Sequence, residues 1–149
     1  TMSTTIETKR SAEQLLSDIQ SEEVTNPDVG IYDNASFDEA SLGTTKNGGF
    51  QAITKFTVPR GDGSTFRHRE YINLPMSDSH PRVKQMGLGW YQALGIVPTG
   101  AKNIPLANSK DAAEKIVQAI NTLAGNTVGL SISEDEKGFL RARAMRKRF

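Results

Sequence analysis

The chain contains no cysteine, only two histidines and no long apolar run. The absence of cysteine excludes disulfides, thiol nucleophiles and cysteine-ligated metals, and it is compatible with a reducing cytosol. Because no stretch of about 18 apolar residues is present, no transmembrane helix is predicted, and no secretory signal is predicted either. A chain of 149 residues is long enough for one domain with a hydrophobic core.

Motifs typical of enzymes are also missing. His68 and His80 lie 12 residues apart, which does not fit the HExxH zinc motif. The phosphate-binding pattern GxxxxGK(S/T) and the nucleophile pattern GxSxG do not occur, and GLGWYQALG at 87–95 does not open a helix after a strand. We therefore expect a protein that is not an enzyme and has no catalytic residue, metal site or cofactor.

The net charge of +1 conceals an uneven distribution along the chain. Residues 1–45 carry two basic and nine acidic side chains, a net charge of −7. Residues 46–110 carry nine basic and three acidic side chains, a net charge of +6, and residues 111–149 add +2. A basic body behind an acidic leader favours an anionic partner for the body, and a leader that competes for the body with that partner.

Periodicity divides the chain into a polar acidic leader, residues 1–28, and a folded body, residues 29–149. SAEQLLSDIQ in the leader predicts a short helix with Ser11 as its N-cap. Alternation of apolar and polar residues predicts five strands in the body. They are assigned to residues 30–40, 50–58, 66–75, 127–133 and 139–146, with EDEKG, 134–138, as a hairpin turn before the last strand.

The strands differ in how clearly their faces are defined. The first is weak, and Ile31 and Phe37 are predicted to face inward. In the third, Phe66, His68, Glu70, Ile72 and Leu74 form one candidate inner face, but this face would bury two polar side chains, so either face remains open. The last strand, 139–146, is predicted to fray into a basic tail at 146–149.

Two helices are predicted between the third and fourth strands. The first has an apolar stripe of Val83, Met86, Trp90 and Leu94 with Tyr91 alongside, and Trp90 is assigned to the core. The second follows Ser109 as N-cap. This order predicts a mainly β fold with helices (α+β). A five-stranded barrel with a helical insertion between strands 3 and 4 is the oligonucleotide/oligosaccharide-binding (OB) fold. An open antiparallel α+β sheet has the same order and remains an alternative.

Cationic and aromatic side chains share faces of the predicted strands and adjacent loops. Cations can track phosphates while flat side chains stack on bases, which is what a binder of single strands needs. The alternative is a solvated face that uses arginine for solubility. The predicted nucleic-acid-binding residues are Lys46, Lys55, Arg60, Arg67, Arg69, Tyr71, Phe139, Arg141 and Arg143.

The body contains three characteristic segments, KNGGFQAITKFTV, FRHREYINLP and NTLAGNTVGLSISEDEKGFLRARAM. Together they resemble phage-encoded single-stranded DNA-binding proteins of the OB type, over roughly residues 29–147. In that family a leucine, a small residue, glycine, two variable residues and valine open the fourth strand, and Leu123 to Val128 matches this pattern. The resemblance implies a replication or recombination protein that coats single strands without catalysis, in the host cytoplasm if the chain is viral.

The resemblance also bears on partners. Bacterial-type members end in an acidic tail that recruits other proteins, whereas this sequence ends Arg146-Lys147-Arg148-Phe149. The acidic leader is therefore the candidate for binding replication or recombination proteins, beside single-stranded DNA bound by the body. A homo-oligomer remains open, and no membrane is expected. The rival hypotheses are a protein-interaction or virion-structural domain that docks an acidic partner, and an OB-type binder of RNA or oligosaccharide.

Overall fold

The computed structural model describes residues 11–24 and 26–145. The predicted basic tail at 146–149 lies outside the described residues, as do residues 1–10. The helices and strands are, in chain order, α1 (Ala12–Leu16), β1 (Gly30–Thr44), β2 (Phe50–Pro59), β3 (Thr65–Asn73), α2 (Pro81–Leu94), α3 (Lys110–Asn121), β4 (Thr127–Glu134) and β5 (Leu140–Met145).

The five strands form one antiparallel sheet in the order β3-β2-β1-β4-β5. The first part of β1 pairs with β4, where Gly30 lies opposite Ile132, and the second part pairs with β2, where Thr44 lies opposite Phe50. The predicted mainly β fold with five antiparallel strands and helices between the third and fourth is therefore confirmed. The sheet does not close into a barrel within the described residues, because β3 and β5 are its two edges.

Two irregularities in β1 explain why its inward face was only partly predicted. The register shifts between Tyr32 and Ala35 and again between Phe37 and Glu39. Each extra residue changes which side chains face the core and bends the strand. Phe37 is buried as predicted, but Ile31 is 71% exposed, so its inward assignment was wrong.

The last residue of α3 and the loop that follows it form hydrogen bonds to the bend in β1. The side-chain amide of Asn121 accepts from the Ala40 N–H at 2.8 Å and donates to the Ala40 carbonyl at 2.7 Å. The Phe37 N–H donates to the Asn126 carbonyl at 3.0 Å, and the Gly125 N–H donates to the Phe37 carbonyl at 2.7 Å. These bonds satisfy polar groups that the irregular register would otherwise leave unpaired.

The core lies between the inner face of the sheet and helices α2 and α3. The Trp90 ring is 5.9 Å from Phe56, whose ring is 5.7 Å from Phe37, so the predicted core role of Trp90 is confirmed. Tyr91, predicted alongside this stripe, is buried, whereas Met86, predicted within it, is exposed and Gly87 is buried instead. In β3 the inner face is the one with His68 and Glu70, and both side chains are buried.

The leader makes a short helix outside the core. Ser11 caps α1 in a capping box with Gln14, as predicted. Every described residue from 11 to 24 is exposed. In the described part of the chain, no helix is long and apolar enough to cross a membrane.

Two glycines of α2 offer a matched test of how closely this helix packs. A Cβ at Gly87 would lie 2.5 Å from Cγ and 2.8 Å from Cδ of Pro75, whereas a Cβ at Gly89 meets nothing within 4 Å. We expect Gly87→Ala to lower the free energy of unfolding by about 1–3 kcal/mol through overpacking. We expect Gly89→Ala to raise it by up to about 1 kcal/mol through helix propensity. Urea unfolding of both variants measures this, and equal effects would contradict the close approach.

Candidate nucleic-acid interface

The outer face of β2 and β3, opposite the core, carries three of the seven predicted cations, Lys55, Arg67 and Arg69. The register places Lys55 opposite Arg69 and Ile53 opposite Tyr71. Arg67 lies one row further along, and successive rows on one face are about 6.6 Å apart. Burial of the alternate residues fixes this orientation, because turning the strand over would expose the core side chains and bury the arginines.

An open groove of about 620 Å³ lies between β3 and the β4–β5 hairpin. We call it the β3–β5 groove. Its lining residues are Arg69, Tyr71, Asp135, Glu136, Lys137, Phe139, Leu140 and Arg141. The two aromatic side chains are 45% and 65% exposed, for Tyr71 and Phe139 respectively. The fold thus brings four predicted residues from distant segments into one site.

The β4–β5 turn presents one wall of this groove. One carboxylate oxygen of Asp135 accepts from the N–H groups of Lys137 and Phe139, each at 2.9 Å. Gly138 follows with φ of 84°, a conformation that favours glycine. Lys137 was not among the predicted binding residues, although it lies in the predicted turn directly before the basic strand.

Several cations of the interface are already paired with carboxylates. Lys55 Nζ lies 2.8 Å from Oε1 of Glu39. Arg141 Nε lies 3.5 Å from Oδ2 of Asp135, and its Nη1 lies 3.9 Å from Oε2 of Glu70. Among the described residues, the ion pairs include no carboxylate partner for Arg67, Arg69 or Arg143. These three guanidinium groups are therefore the most available for an external anion.

The predicted residue Arg60 lies in a different environment. Its Nε and Nη2 donate to the two carboxylate oxygens of Asp28 at 2.9 and 3.3 Å, and its Nη1 donates to the Thr65 carbonyl at 3.0 Å. Its guanidinium carbon lies 5.0 Å from the centre of the Phe66 ring. The hydrogen bond to Asp28 raises the pKa of Arg60. Arg60 thus ties the β2–β3 loop to the start of β1 and does not line the groove.

The remaining two predicted residues flank the site. Lys46 is exposed in the β1–β2 turn, which is closed by the Thr45 N–H donating to the Gly49 carbonyl at 3.0 Å. Arg143 is exposed on the outer face of β5, opposite Ser131. Neither of them lines the groove.

No protein-family model matches the chain, and a search of curated proteins finds no match. The candidate function therefore rests on the residues and geometry of the outer face and the groove.

The Lys55–Glu39 pair makes a prediction about titration. The hydrogen bond and charge of Lys55 lower the pKa of Glu39, and Arg67 adds a smaller effect. We expect Lys55→Met to raise the Glu39 pKa toward its ordinary value. A carboxyl with a lowered folded-state pKa stabilises the fold above its unfolded-state pKa, and this contribution is lost as the pH falls through the folded-state value. The variant should thus be destabilised near neutral pH and match the wild type in acid.

NMR titration of the side-chain carboxyl carbons measures these pKa values. Asp62 is the internal control, because hydrogen bonds from Ser64 lower its pKa and do not involve Lys55. An unchanged Glu39 pKa in the variant, or a parallel change at Asp62, would contradict the assignment.

Proposed function

We propose that this protein binds single-stranded DNA without sequence preference and acts in DNA replication or recombination without catalysing a reaction. The observation that carries the proposal is the lining of the β3–β5 groove, where Tyr71 and Phe139 lie beside Arg69 and Arg141. Exposed rings stack on any base because every base has a flat π-face. Arginine pairs with phosphate and also stacks on rings.

The position of this groove supports an OB-type assignment. In OB folds the face of strands 2 and 3 and the loops between strands 1–2 and 4–5 bind oligonucleotides, and the barrel is partly open. Here Arg69 and Tyr71 lie on β3, Lys46 lies in the first of these loops and Lys137 in the second. We propose that the curved sheet is an open OB barrel whose gap lies between β3 and β5.

The spacing of the site favours an extended single strand over a duplex. Cationic rows about 6.6 Å apart along β3 can follow a stretched phosphate backbone away from the groove. The rings of Tyr71 and Phe139 require bases that are free to leave the stack. A duplex keeps its bases paired and pays to unstack them, so it should bind more weakly.

Titration of fluorescent oligo-dT at several salt concentrations tests the proposal. We expect log K to fall linearly with log salt, with a slope of about −0.7 for each neutralised phosphate, and duplex DNA to compete poorly. Absent or salt-independent binding would refute the proposal. RNA as a second competitor separates it from an RNA-binding OB protein.

Single substitutions should separate stacking from charge. Tyr71→Ala or Phe139→Ala should weaken dT binding by about 1–3 kcal/mol with little change in salt slope. Arg69→Ala should reduce the magnitude of the slope by about 0.7. Lys115→Ala is the matched charge control, because Lys115 is an exposed cation on α3 that does not line the groove. An equal effect of Lys115→Ala would show that only net charge matters.

Removing the carboxylate that pairs with Lys55 should strengthen binding. Glu39→Gln frees Lys55 for phosphate, so we expect tighter dT binding and a slope steeper by about 0.7. Glu114→Gln is the control, because it removes one negative charge from a pair on α3 that does not line the groove. In that pair Lys110 Nζ lies 4.0 Å from Oε1 of Glu114. An equal gain in both variants would contradict a local role for Lys55.

The mixed charge of the groove favours a second candidate, a protein-docking domain. Asp135 and Glu136 line the groove together with its cations, and a surface that carries both signs of charge suits a protein partner better than a polyanion. Replacing Arg67 and Arg69 by glutamate distinguishes the two. Retained dT affinity with loss of a co-purifying protein would favour docking, whereas loss of dT affinity would favour DNA binding.

The acidic leader is the segment for which we propose a protein partner. Leu15, Leu16 and Ile19 are exposed within an acidic segment that includes Glu22 and Glu23. We propose that this segment binds replication or recombination proteins. Loss of such an interaction on Leu15→Ser and Leu16→Ser substitution, with dT affinity unchanged, is the expected result.

A further inference from the structure

The two edges of the sheet are joined by one buried side chain. Glu70, on the inner face of β3, is only 8% exposed. Its Oε1 accepts from the backbone N–H of Ala142, on β5, at 2.8 Å, and lies 2.9 Å from Nε2 of the equally buried His68. Its other oxygen, Oε2, lies 3.9 Å from Nη1 of Arg141. The Glu70 carboxylate thus forms a hydrogen bond between β3 and β5, two strands that are not neighbours in the sheet order.

This contact lies directly behind the β3–β5 groove. Tyr71 follows Glu70 in β3, and Arg141 precedes Ala142 in β5, so the neighbours of the bonded pair point to the opposite face and line the groove. The walls of the groove belong to strands that are not adjacent in the sheet order. The Glu70 carboxylate is therefore the hydrogen-bonded connection between these walls in the described part of the chain.

We propose that Glu70 is a positioning residue that holds the two walls of the β3–β5 groove at the separation needed for binding. The identity of the ligand rests on the proposed function, whereas the connection that Glu70 makes between β3 and β5 does not depend on it. A buried carboxylate persists only where donors satisfy it, and here the donors come from both edges of the sheet. Removing it leaves the Ala142 N–H and His68 without this partner, and among the described residues β4 is then the one strand hydrogen-bonded to β5, a strand of six residues.

Two substitutions at Glu70 test the connection. Glu70→Ala removes the acceptor, so we expect the Ala142 amide to exchange hydrogen about tenfold faster or more, relative to other β5 amides. Oligo-dT affinity should fall about fivefold or more, because the walls are no longer held in place before binding. Glu70→Gln keeps an oxygen that can accept from Ala142, so it should restore most of the amide protection and most of the affinity.

Thr54→Val is the matched control for loss of stability alone. The Thr54 hydroxyl is buried and donates to the Glu70 carbonyl at 2.8 Å, so the substitution removes a buried bond between β2 and β3 and leaves the β3–β5 contact intact. We expect it to lower stability without changing dT affinity, measured at a temperature where every variant is folded. Ala142→Pro removes the same N–H from the β5 side, and if Glu70→Ala does not fold, the dT affinity of Ala142→Pro is the measurement, because proline has no amide hydrogen to exchange.

These measurements test separately whether Glu70 holds the two strands together and whether it positions the groove for binding. Unchanged Ala142 exchange in Glu70→Ala shows that the connection does not hold the strands. Faster exchange with unchanged dT affinity, or equal losses of affinity in Thr54→Val, shows that it does not position the groove. If the wild-type chain does not bind dT, the proposed function and this role in binding are both refuted, while Ala142 exchange still decides whether Glu70 joins the strands.

Discussion

The structure depends on the bend of β1, because this one strand pairs with two neighbours in succession. Its first part pairs with β4 and its second with β2, Ser36 pairs with both, and one register shift lies on each side of Ser36. Hydrogen bonds from Asn121 and the following loop satisfy the backbone at the bend. The resulting curvature encloses α2 and α3 and brings the edges of the sheet close enough for the Glu70 carboxylate to reach from β3 to β5.

The same curvature creates the candidate site and limits its charge. Tyr71 and Phe139 face one groove only because β3 and the β4–β5 hairpin approach each other. The β4–β5 hairpin itself places Asp135 close to Arg141, and the irregularity of β1 turns Glu39 outward beside Lys55. The surface is therefore a mixture of free guanidinium groups and paired cations. A polyanion would have to displace the paired carboxylates, and exposed pairs of this kind are weak enough to be displaced.

Sequence patterns predicted regular elements better than irregular ones. β2 and β3 alternate without interruption, so residue parity placed Arg67, Arg69 and Tyr71 on one face of β3, and the burial of His68 and Glu70 then showed that this face is the outer one. β1 does not, and Ile31 was wrongly placed inward because parity fails across a register shift. Arg60 belonged to the basic set by composition, but Asp28, 32 residues away in the chain, binds its guanidinium. Such a partner is not visible in local spacing.

The sequence by itself determined the class of fold, the five strands, the shared face of Arg67, Arg69 and Tyr71, and the turn that presents Phe139. These features depend on local periodicity and turn chemistry, which act over a few residues. Only the tertiary structure decided that Tyr71 and Phe139 share a groove, that Lys137 joins them, and that Glu70 is buried between two edge strands. These contacts depend on the bend of β1, which brings together segments that are about 70 residues apart in the chain. Within β1 itself, the bend is marked only by the irregular register.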